Sequence, residues 1–323
     1  MIKRVLVTGG AGYIGSQLVR ILLNEGYIVR TIDSLKFGGH TLIDVFTNPN
    51  FEFYKGDIRN ESDLRNALQN VDALCHLAAI VSDPTCKAFP EEATEVNVNA
   101  SILLHQLCEE FKIQRFVFAS TCSNYGKMQD PNSYLDETAD LKPVSHYAVT
   151  KVAFEKYLLE KETNVCTTIL RFSTVYGASP RTRFDLTVNE FTRDVTVGRE
   201  LQIFGEKFWR PYCHVNDLAA AMALVLKSEQ NKVEGEVFNV GRTDQNYTKE
   251  MLVDEIKMVI PSTKVTFIHR DEDPRDYRVN CDKIAQKLGF QITKTVPEGI
   301  LEIHNLVKSG LIEDPFANQY KNL

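Results

Sequence analysis

The sequence predicts an α/β protein, a Rossmann-type doubly wound parallel sheet with a smaller C-terminal α/β substrate-binding lobe. Three observations predict it. Strand-like apolar runs alternate with helical stretches through the first 170 residues, glycines recur at three-residue spacing directly after the first run, and an acid closes the second run. Such alternation builds right-handed βαβ units whose helices cover both faces of a parallel sheet.

In chain order, the first strand spans 4–7 and feeds a helix at about 13–25, where Leu18, Ile21 and Leu22 form the apolar stripe. Strands follow at 27–32, 51–54, 73–77, 115–119 and 166–170, separated by helical patterns at about 61–69, 91–111 and 146–161. After Gly177 the regularity fades into a loop at 178–184, a helix at 186–197, a strand at 201–204 and a loop through Trp209, Arg210 and Pro211. A helix at 217–227 and a strand at 237–240 return the chain to the main sheet. A helix near 248–259, a strand at 265–268 and a short helix near 280–288 complete the reading. Residues 1–177, rejoined by 212–241, therefore form a nucleotide-binding domain, and 178–211 with 242–323 form the lobe.

Composition narrows the function. The 43% hydrophobic and 25% charged content of the 323 residues is that of a soluble globular protein. A net charge of −6 argues against a broad nucleic-acid surface. No apolar run approaches the ~18 residues of a membrane span, and Met1-Ile2-Lys3-Arg4 leads straight into a strand, without a signal peptide. Seven scattered cysteines lack a Cys-x-x-Cys pair, which points to reduced thiols and a cytoplasmic location. The histidines lack metal-ligand spacing, so no metal is expected.

Residues 8 to 15 read Thr-Gly-Gly-Ala-Gly-Tyr-Ile-Gly. Gly9, Gly12 and Gly15 tolerate the turn from strand to helix and let a phosphate approach where no Cβ intrudes. The N–H groups and dipole of the new helix then meet the pyrophosphate. Asp33, about 20 residues beyond, suits a ribose 2′-hydroxyl and would repel a 2′-phosphate, which favours NAD over NADP.

Tyr147 and Lys151 form Tyr-x-x-x-Lys inside a helical stretch, on one face. The same spacing is common on ordinary solvated helices. Coupled to the glycine loop and to the strand end Ala119-Ser120-Thr121, it reads as a proton-transfer pair. A nearby ammonium lowers the pKa of a phenol, and a hydroxyl from the strand end hydrogen-bonds the same substrate oxygen.

On these residues, together with Gly56-Asp57-Ile58, His76-Leu77-Ala78-Ala79, Asn97-Val98-Asn99, Leu170-Arg171-Phe172, Val175-Tyr176-Gly177 and His214-Val215-Asn216-Asp217, the chain resembles the extended short-chain dehydrogenase/reductase family, specifically its NAD-dependent nucleotide-sugar epimerases and dehydratases. The resemblance runs nearly end to end and includes UDP-glucose 4-epimerase-like enzymes. It implies Thr121, Tyr147 and Lys151 as catalytic residues. It implies that Gly9, Gly12, Tyr13, Ile14, Gly15 and Asp33 bind the cofactor, as do Tyr147 and Lys151, with Asp57 and Ile58 flanking the adenine and Leu77, Ala78 and Ala79 lining the cleft. Asn97 would sit near the cofactor ribose and the central helix. Arg210 and Arg275 would engage the nucleotide diphosphate, with a surface role for Arg210 and ion pairing of Arg275 to acidic neighbours (Asp273, Asp276) as the alternatives.

The stretch from Ser179 to Leu186 resembles a subgroup of GDP-heptose 4-dehydrogenase-like enzymes. Arg181, Arg183 and Asn189 would then contribute phosphate or sugar contacts, or, for the two arginines, stabilise the loop. A homodimer through a four-helix bundle of 91–111 and 146–161, and a place in cell-surface polysaccharide biosynthesis, are also implied.

One departure is informative. Nucleotide-sugar 4,6-dehydratases carry Asp-Glu after the catalytic Thr, and this chain has Cys122-Ser123. A thiol and a hydroxyl are weak substitutes for that acid–base pair; Cys122 reads as a packed thiol or as an acid/base of shifted pKa. The reading is thus an epimerase passing through a transient 4-keto sugar. The alternatives are a 4-dehydrogenase or 4-ketoreductase, a dehydratase, and a non-catalytic NAD-bound scaffold.

Overall fold

The computed structural model describes residues 2–130, 132–268 and 275–322; His269 and Asp273 lie outside the described residues. β1 (Arg4–Thr8) leads into α1 (Tyr13–Asn24), followed by β2 (Ile28–Asp33), β3 (Phe51–Lys55), α2 (Glu61–Ala67) and β4 (Ala73–His76). Short helices α3 (Asp83–Ala88) and α4 (Pro90–Thr94) precede a π-helical turn, Glu95–Asn99, and α5 (Ala100–Glu110). Then come β5 (Arg115–Thr121), α6 (His146–Glu160), β6 (Cys166–Phe172), β7 (Thr174–Tyr176), α7 (Thr187–Thr196), β8 (Leu201–Phe204), β9 (Trp209–His214), α8 (Val215–Lys227), α9 (Gln230–Val233) and β10 (Glu236–Val240). The chain ends through β11 (Asn246–Thr248), α10 (Lys249–Val259), β12 (Val265–Ile268), α11 (Asp282–Leu288) and α12 (Val296–Lys308).

The chain divides into two compact units: the described parts of 1–121, 145–171 and 219–238, and those of 122–144, 172–218 and 239–323. The first carries a seven-stranded sheet in the order β3-β2-β1-β4-β5-β6-β10. β1 runs parallel to both β2 and β4, β2 to β3, and β4 to β5. The order therefore reverses beside β1, a switch point of the kind that leaves a crevice at the carboxyl ends of the strands. Beneath it Leu6, Leu74, Phe116, Phe118 and Phe154 form one buried core. Phe154 of α6 stands perpendicular to Phe118 of β5 at 4.8 Å, an edge-to-face pair that seats α6 against the sheet.

In the second unit β9 lies between antiparallel β11 and parallel β7, and β8 pairs with β12. Tyr176, Val188, Tyr212, Leu252, Ile256 and Ile300 build its main core.

Several elements differ from the sequence expectation. The single helix expected at 91–111 is α4, a π-helical turn and α5, and the turn coincides with Asn97, whose side chain reaches out to neighbouring backbone. The loop expected at 209–211 is the start of β9, because Pro211 and Arg210 pair with Asn246 and Tyr247. α12 went unread although Thr295, Pro297 and Glu298 supply a capping box with proline in the first turn, and Val296, Ile300, Ile303 and Val307 an apolar stripe. The partition at Gly177 also missed that 122–144 cluster with the second unit. Met128 and Leu135 donate backbone hydrogen bonds to Asp276 and Arg278, and Cys122, Tyr125 and Met128 share a core with Tyr277, Val279 and Cys281.

At Gly15 an added Cβ would lie 2.2 Å from the Gly9 carbonyl oxygen and 2.8 Å from Gly10 Cα. Because the obstruction is backbone, Gly15→Ala is expected to destabilise the protein by at least about 1–3 kcal/mol. Urea denaturation measures this, and an unchanged midpoint would contradict the close approach of α1 to the loop.

Candidate active site

Gly9 adopts φ +74°, and a Cβ there would meet the Ala78 nitrogen at 2.8 Å, so only glycine lets the loop lie against the end of β4. Gly12 caps α1 with extended backbone and no side-chain hydrogen bond, and the first ladder bond runs from the Ser16 N–H to the Gly12 carbonyl. A helix start built this way presents its first N–H groups and dipole to an anion. Tyr13 and Gly15 are buried and Ile14 is half-buried.

At the end of β2, Asp33 accepts the Ala11 N–H on one carboxylate oxygen at 3.0 Å and the Leu35 N–H on the other at 2.8 Å. Its position is thus fixed against the glycine loop. The Arg59 guanidinium grips Asp57 and holds its carboxyl below the usual range, and Ile58 beside it is buried.

A buried polar chain supports the end of β4. Thr8 Oγ1 accepts the N–H groups of Leu77 and Ala78, each at 3.2 Å, and donates to His76 Nδ1 at 2.8 Å. The proton accordingly sits on His76 Nε2, which donates to Ser101 Oγ at 2.9 Å. Burial pushes the His76 pKa down to about 3, with the Lys151 charge acting in the same direction. Ala79 is half-buried just beyond. Asn97, which the resemblance puts near the cofactor ribose and the central helix, has its amide bonded to the backbone after β4 and to α6. It accepts the Ile80 N–H at 2.8 Å and donates to the Ile80 carbonyl at 2.9 Å and to Thr150 Oγ1 at 3.1 Å, joining the loop after β4 to α6.

On α6 Tyr147 and Lys151 are one turn apart, behind a Ser145 N-cap that accepts the Ala148 N–H. Lys151 Nζ lies 6.0 Å from the Tyr147 ring centroid and 4.7 Å from that of Phe118, and donates to the Ala119 carbonyl at 2.8 Å. Lys151 is only 3% exposed, and burial pushes its pKa down to about 8 against the opposing pull of Cys86 and Glu155. Thr121 ends β5 two residues beyond Ala119. Ser120, between them, donates its hydroxyl to Glu155, which is ion-paired with Arg171 at 2.8 Å. Sequence reading missed Glu155. Its signal was a carboxylate one turn beyond Lys151 on the same helix face.

In the second unit the guanidinium of Arg210 lies 5.3 Å from the Tyr277 ring centroid, and Arg210 donates to the Trp209 carbonyl at 2.6 Å. Burial raises the Tyr277 hydroxyl pKa, and the charges of Arg210 and Arg275 both oppose that rise. Arg278, unread in the sequence, packs on Tyr134 and Trp209 at 4.6 and 4.9 Å. Asp276 accepts the Trp209 N–H at 2.8 Å.

Arg181, Arg183 and Asn189 are placed differently. All three are buried. Arg181 donates to the Lys321 carbonyl at 3.1 Å, and Arg183 makes a bidentate pair with Asp185 at 2.9 and 2.8 Å, while Asp185 also accepts the Asn322 N–H. Asn189 binds both backbone groups of Gly177 and the Arg183 carbonyl. This geometry supports the loop-stabilising reading of the two arginines. Cys122 is 1% exposed and 3.8 Å from Asn239 Oδ1, as a packed thiol would be. Among the described residues no cluster of His, Cys, Asp or Glu is arranged to hold a metal ion, and no helix is long and apolar enough to cross a membrane.

The sequence model of the NAD dependent epimerase/dehydratase family matches residues 5–241. A UDP-glucose 4-epimerase of Lactobacillus helveticus is 30% identical, covering 89% of this chain and 92% of its own. Among solved structures, the UDP-glucose 4-epimerase of Thermus thermophilus in complex with NAD superposes with a TM-score of 0.81 at 27% identity, covering 95% of this chain and 100% of its own. The UDP-glucuronic acid 4-epimerase of Bacillus cereus, in complex with UDP-glucuronic acid and NAD, gives 0.84 at 27% identity over 95% and 99%.

The His76 environment has a consequence for acid stability. Its pKa falls from an ordinary 6.5 to about 3 on folding, so the unfolded chain binds more protons between those values. Stability is therefore complete above about pH 6.5 and declines as the pH falls towards 3. The thermal midpoint should drop across this window, and His76→Asn should flatten the drop; parallel profiles would contradict the assignment.

Proposed function

The chain belongs to the NAD dependent epimerase/dehydratase family, and on that premise we propose that it is a nucleotide-sugar epimerase acting at the sugar C4. One observation carries the reading. A buried ammonium, Lys151, stands beside Tyr147 and is bonded to the strand that ends in Thr121, while the next residue, Cys122, is a packed thiol where a dehydratase has an acid.

The residues of the first unit fit NAD. Gly9, Gly12, Tyr13, Ile14 and Gly15 would hold its diphosphate at the α1 N-terminus, Asp33 its adenosine ribose, Asp57 and Ile58 its adenine, and Leu77, Ala78 and Ala79 the wall of its cleft. When bound, the cofactor supplies a hydride acceptor for the C4 carbon and later the donor that returns hydride to the opposite face. Tyr147 takes the proton of the C4 hydroxyl and gives it back in the second half of the cycle. Lys151 stabilises the phenolate that takes this proton and that is restored once the proton is returned, because an opposite charge close by favours the ionised form. Thr121 orients the same oxygen. Arg210 and Arg275 supply guanidinium groups for the diphosphate of the nucleotide sugar. Arg181, Arg183 and Asn189 fix the shape of the loop after Gly177.

The exposed side chains of Val149 and Leu159 on α6, with α5 alongside, support a homodimer through these helices. All seven cysteines are buried thiols, which suits a reducing cytoplasm.

Incubation with UDP-, GDP-, CDP- and dTDP-sugars, followed by NMR, is expected to yield a C4 epimer without net NADH. Accumulation of NADH with a ketosugar would establish a 4-dehydrogenase instead. Tyr147→Phe is expected to lower kcat by about 10²–10⁴-fold and leave NAD affinity intact; retained turnover would refute the proton-transfer role. Because Lys151 loses its proton near pH 8, activity is expected to fall as the pH rises through about 8. A pH–rate profile that stays flat from about pH 7 to 10 would contradict a working ammonium.

A further inference from the structure

Beneath the proton-handling residues lie two buried charges that the proposed chemistry does not use. Glu155 of α6 is fully buried and Arg171 of β6 is 3% exposed. Arg171 Nε lies 3.2 and 3.1 Å from the two Glu155 oxygens, and Nη2 lies 2.8 Å from Oε2. Desolvation makes such a pair a poor source of stability, since apolar residues of similar volume often serve as well or better.

The third contact of the pair points to a different role. Ser120 donates its hydroxyl to Glu155 Oε1, while the adjoining Ala119 carbonyl receives the Lys151 ammonium at 2.8 Å. Lys151 and Glu155 are one helical turn apart, so α6 grips two consecutive residues of β5 immediately before Thr121. Successive strand side chains point to opposite faces, so fixing Ser120 also fixes where Thr121 projects.

We propose that Glu155, charge-balanced by Arg171, is a positioning residue that sets the placement and charge of Lys151 and the placement of Thr121. The proposal rests on the reading of Thr121, Tyr147 and Lys151 given above.

The groups that face Lys151 favour this assignment. Cys86 from α3 is held neutral, since burial pushes its thiol up to about 11, and His76 from β4 is held neutral by burial. β5 offers the Phe118 ring and the Ala119 carbonyl, and α6 itself offers Tyr147 and Glu155. Arg171 of β6 acts on Lys151 through Glu155. Among these groups Glu155 is the carboxylate, and with Cys86 it opposes the effect of desolvation on the ammonium.

The test uses the NAD-loaded protein with UDP-glucose as probe and three variants: Ser120→Ala, Glu155→Asp and the double variant E155M/R171M. kcat, KM and thermal midpoint are measured for each. The Lys151 Cε resonance is titrated in protein carrying carbon-13 at the lysine Cε, assigned through Lys151→Arg. Ser120→Ala and Glu155→Asp keep both charges and are expected to lower kcat by about 10-fold or more, with KM within about 3-fold. The double variant removes both buried charges, so its midpoint should stay near wild type while kcat remains depressed and Lys151 titrates about half a pH unit lower or more.

A purely structural pair predicts the reverse. Wild-type kcat and Lys151 titration in E155M/R171M, or in both Ser120→Ala and Glu155→Asp, would overturn the proposal. If the double variant does not fold, the two charge-preserving variants decide. If wild-type protein leaves UDP-glucose unchanged, that choice of substrate fails separately, and the Lys151 titrations decide for or against Glu155.

Discussion

A positive charge kept away from water governs the architecture of the first unit. An ammonium as deeply buried as that of Lys151 is stable only where the protein replaces its hydration shell. The Ala119 carbonyl and the face of Phe118 do so from β5, while Cys86 and Glu155, the latter on the packed α6, oppose the desolvation electrostatically. The edge-to-face Phe118–Phe154 pair packs β5 and α6 together beside the ammonium. The same burial that strains the charge lowers its pKa to about 8, close to the pH at which proton transfer with a phenol is useful.

The end of β4 is built on the same principle with neutral groups. Thr8, His76 and Ser101 form a chain in which each donor has an acceptor, and the Asn97 amide joins the Ile80 backbone to Thr150. Fully satisfied buried networks of this kind rigidify their surroundings, because any alternative arrangement leaves a polar group unpaired. Rigidity matters here, as the Gly9 loop lies directly against Ala78 and Gly9 has no side chain of its own to hold it.

The arginines of the second unit are held in two ways. Arg210 lies over the Tyr277 ring, where a planar cation keeps its hydrogen-bonding edges open. Arg181 and Arg183 are instead fastened to the chain's end. Phe184 packs on Tyr320, and Arg193 and Arg199 pack on Phe316, so the segment after Gly177 and the C-terminal residues form one clasp. Nothing in the local sequence around Arg181 reveals this bond, because its partner, the Lys321 carbonyl, is 140 residues away.

The sequence by itself determined what depends on near neighbours. The glycine spacing, the acid closing β2, the Tyr147–Lys151 face and the order of the first strands and helices each follow from residues within a turn or a strand of one another. Steric freedom, helical period and apolar alternation act over that range. Even α12 carried a readable local signal in Thr295 and Glu298. Only the tertiary structure decided that 209–211 is a strand, that Asn97 bonds to backbone, that Arg181 and Arg183 close a clasp, and that Glu155, Arg171 and Ser120 form one buried cluster. Those outcomes turn on which polar groups are removed from water together, and that pairing is set by packing between segments far apart in the chain.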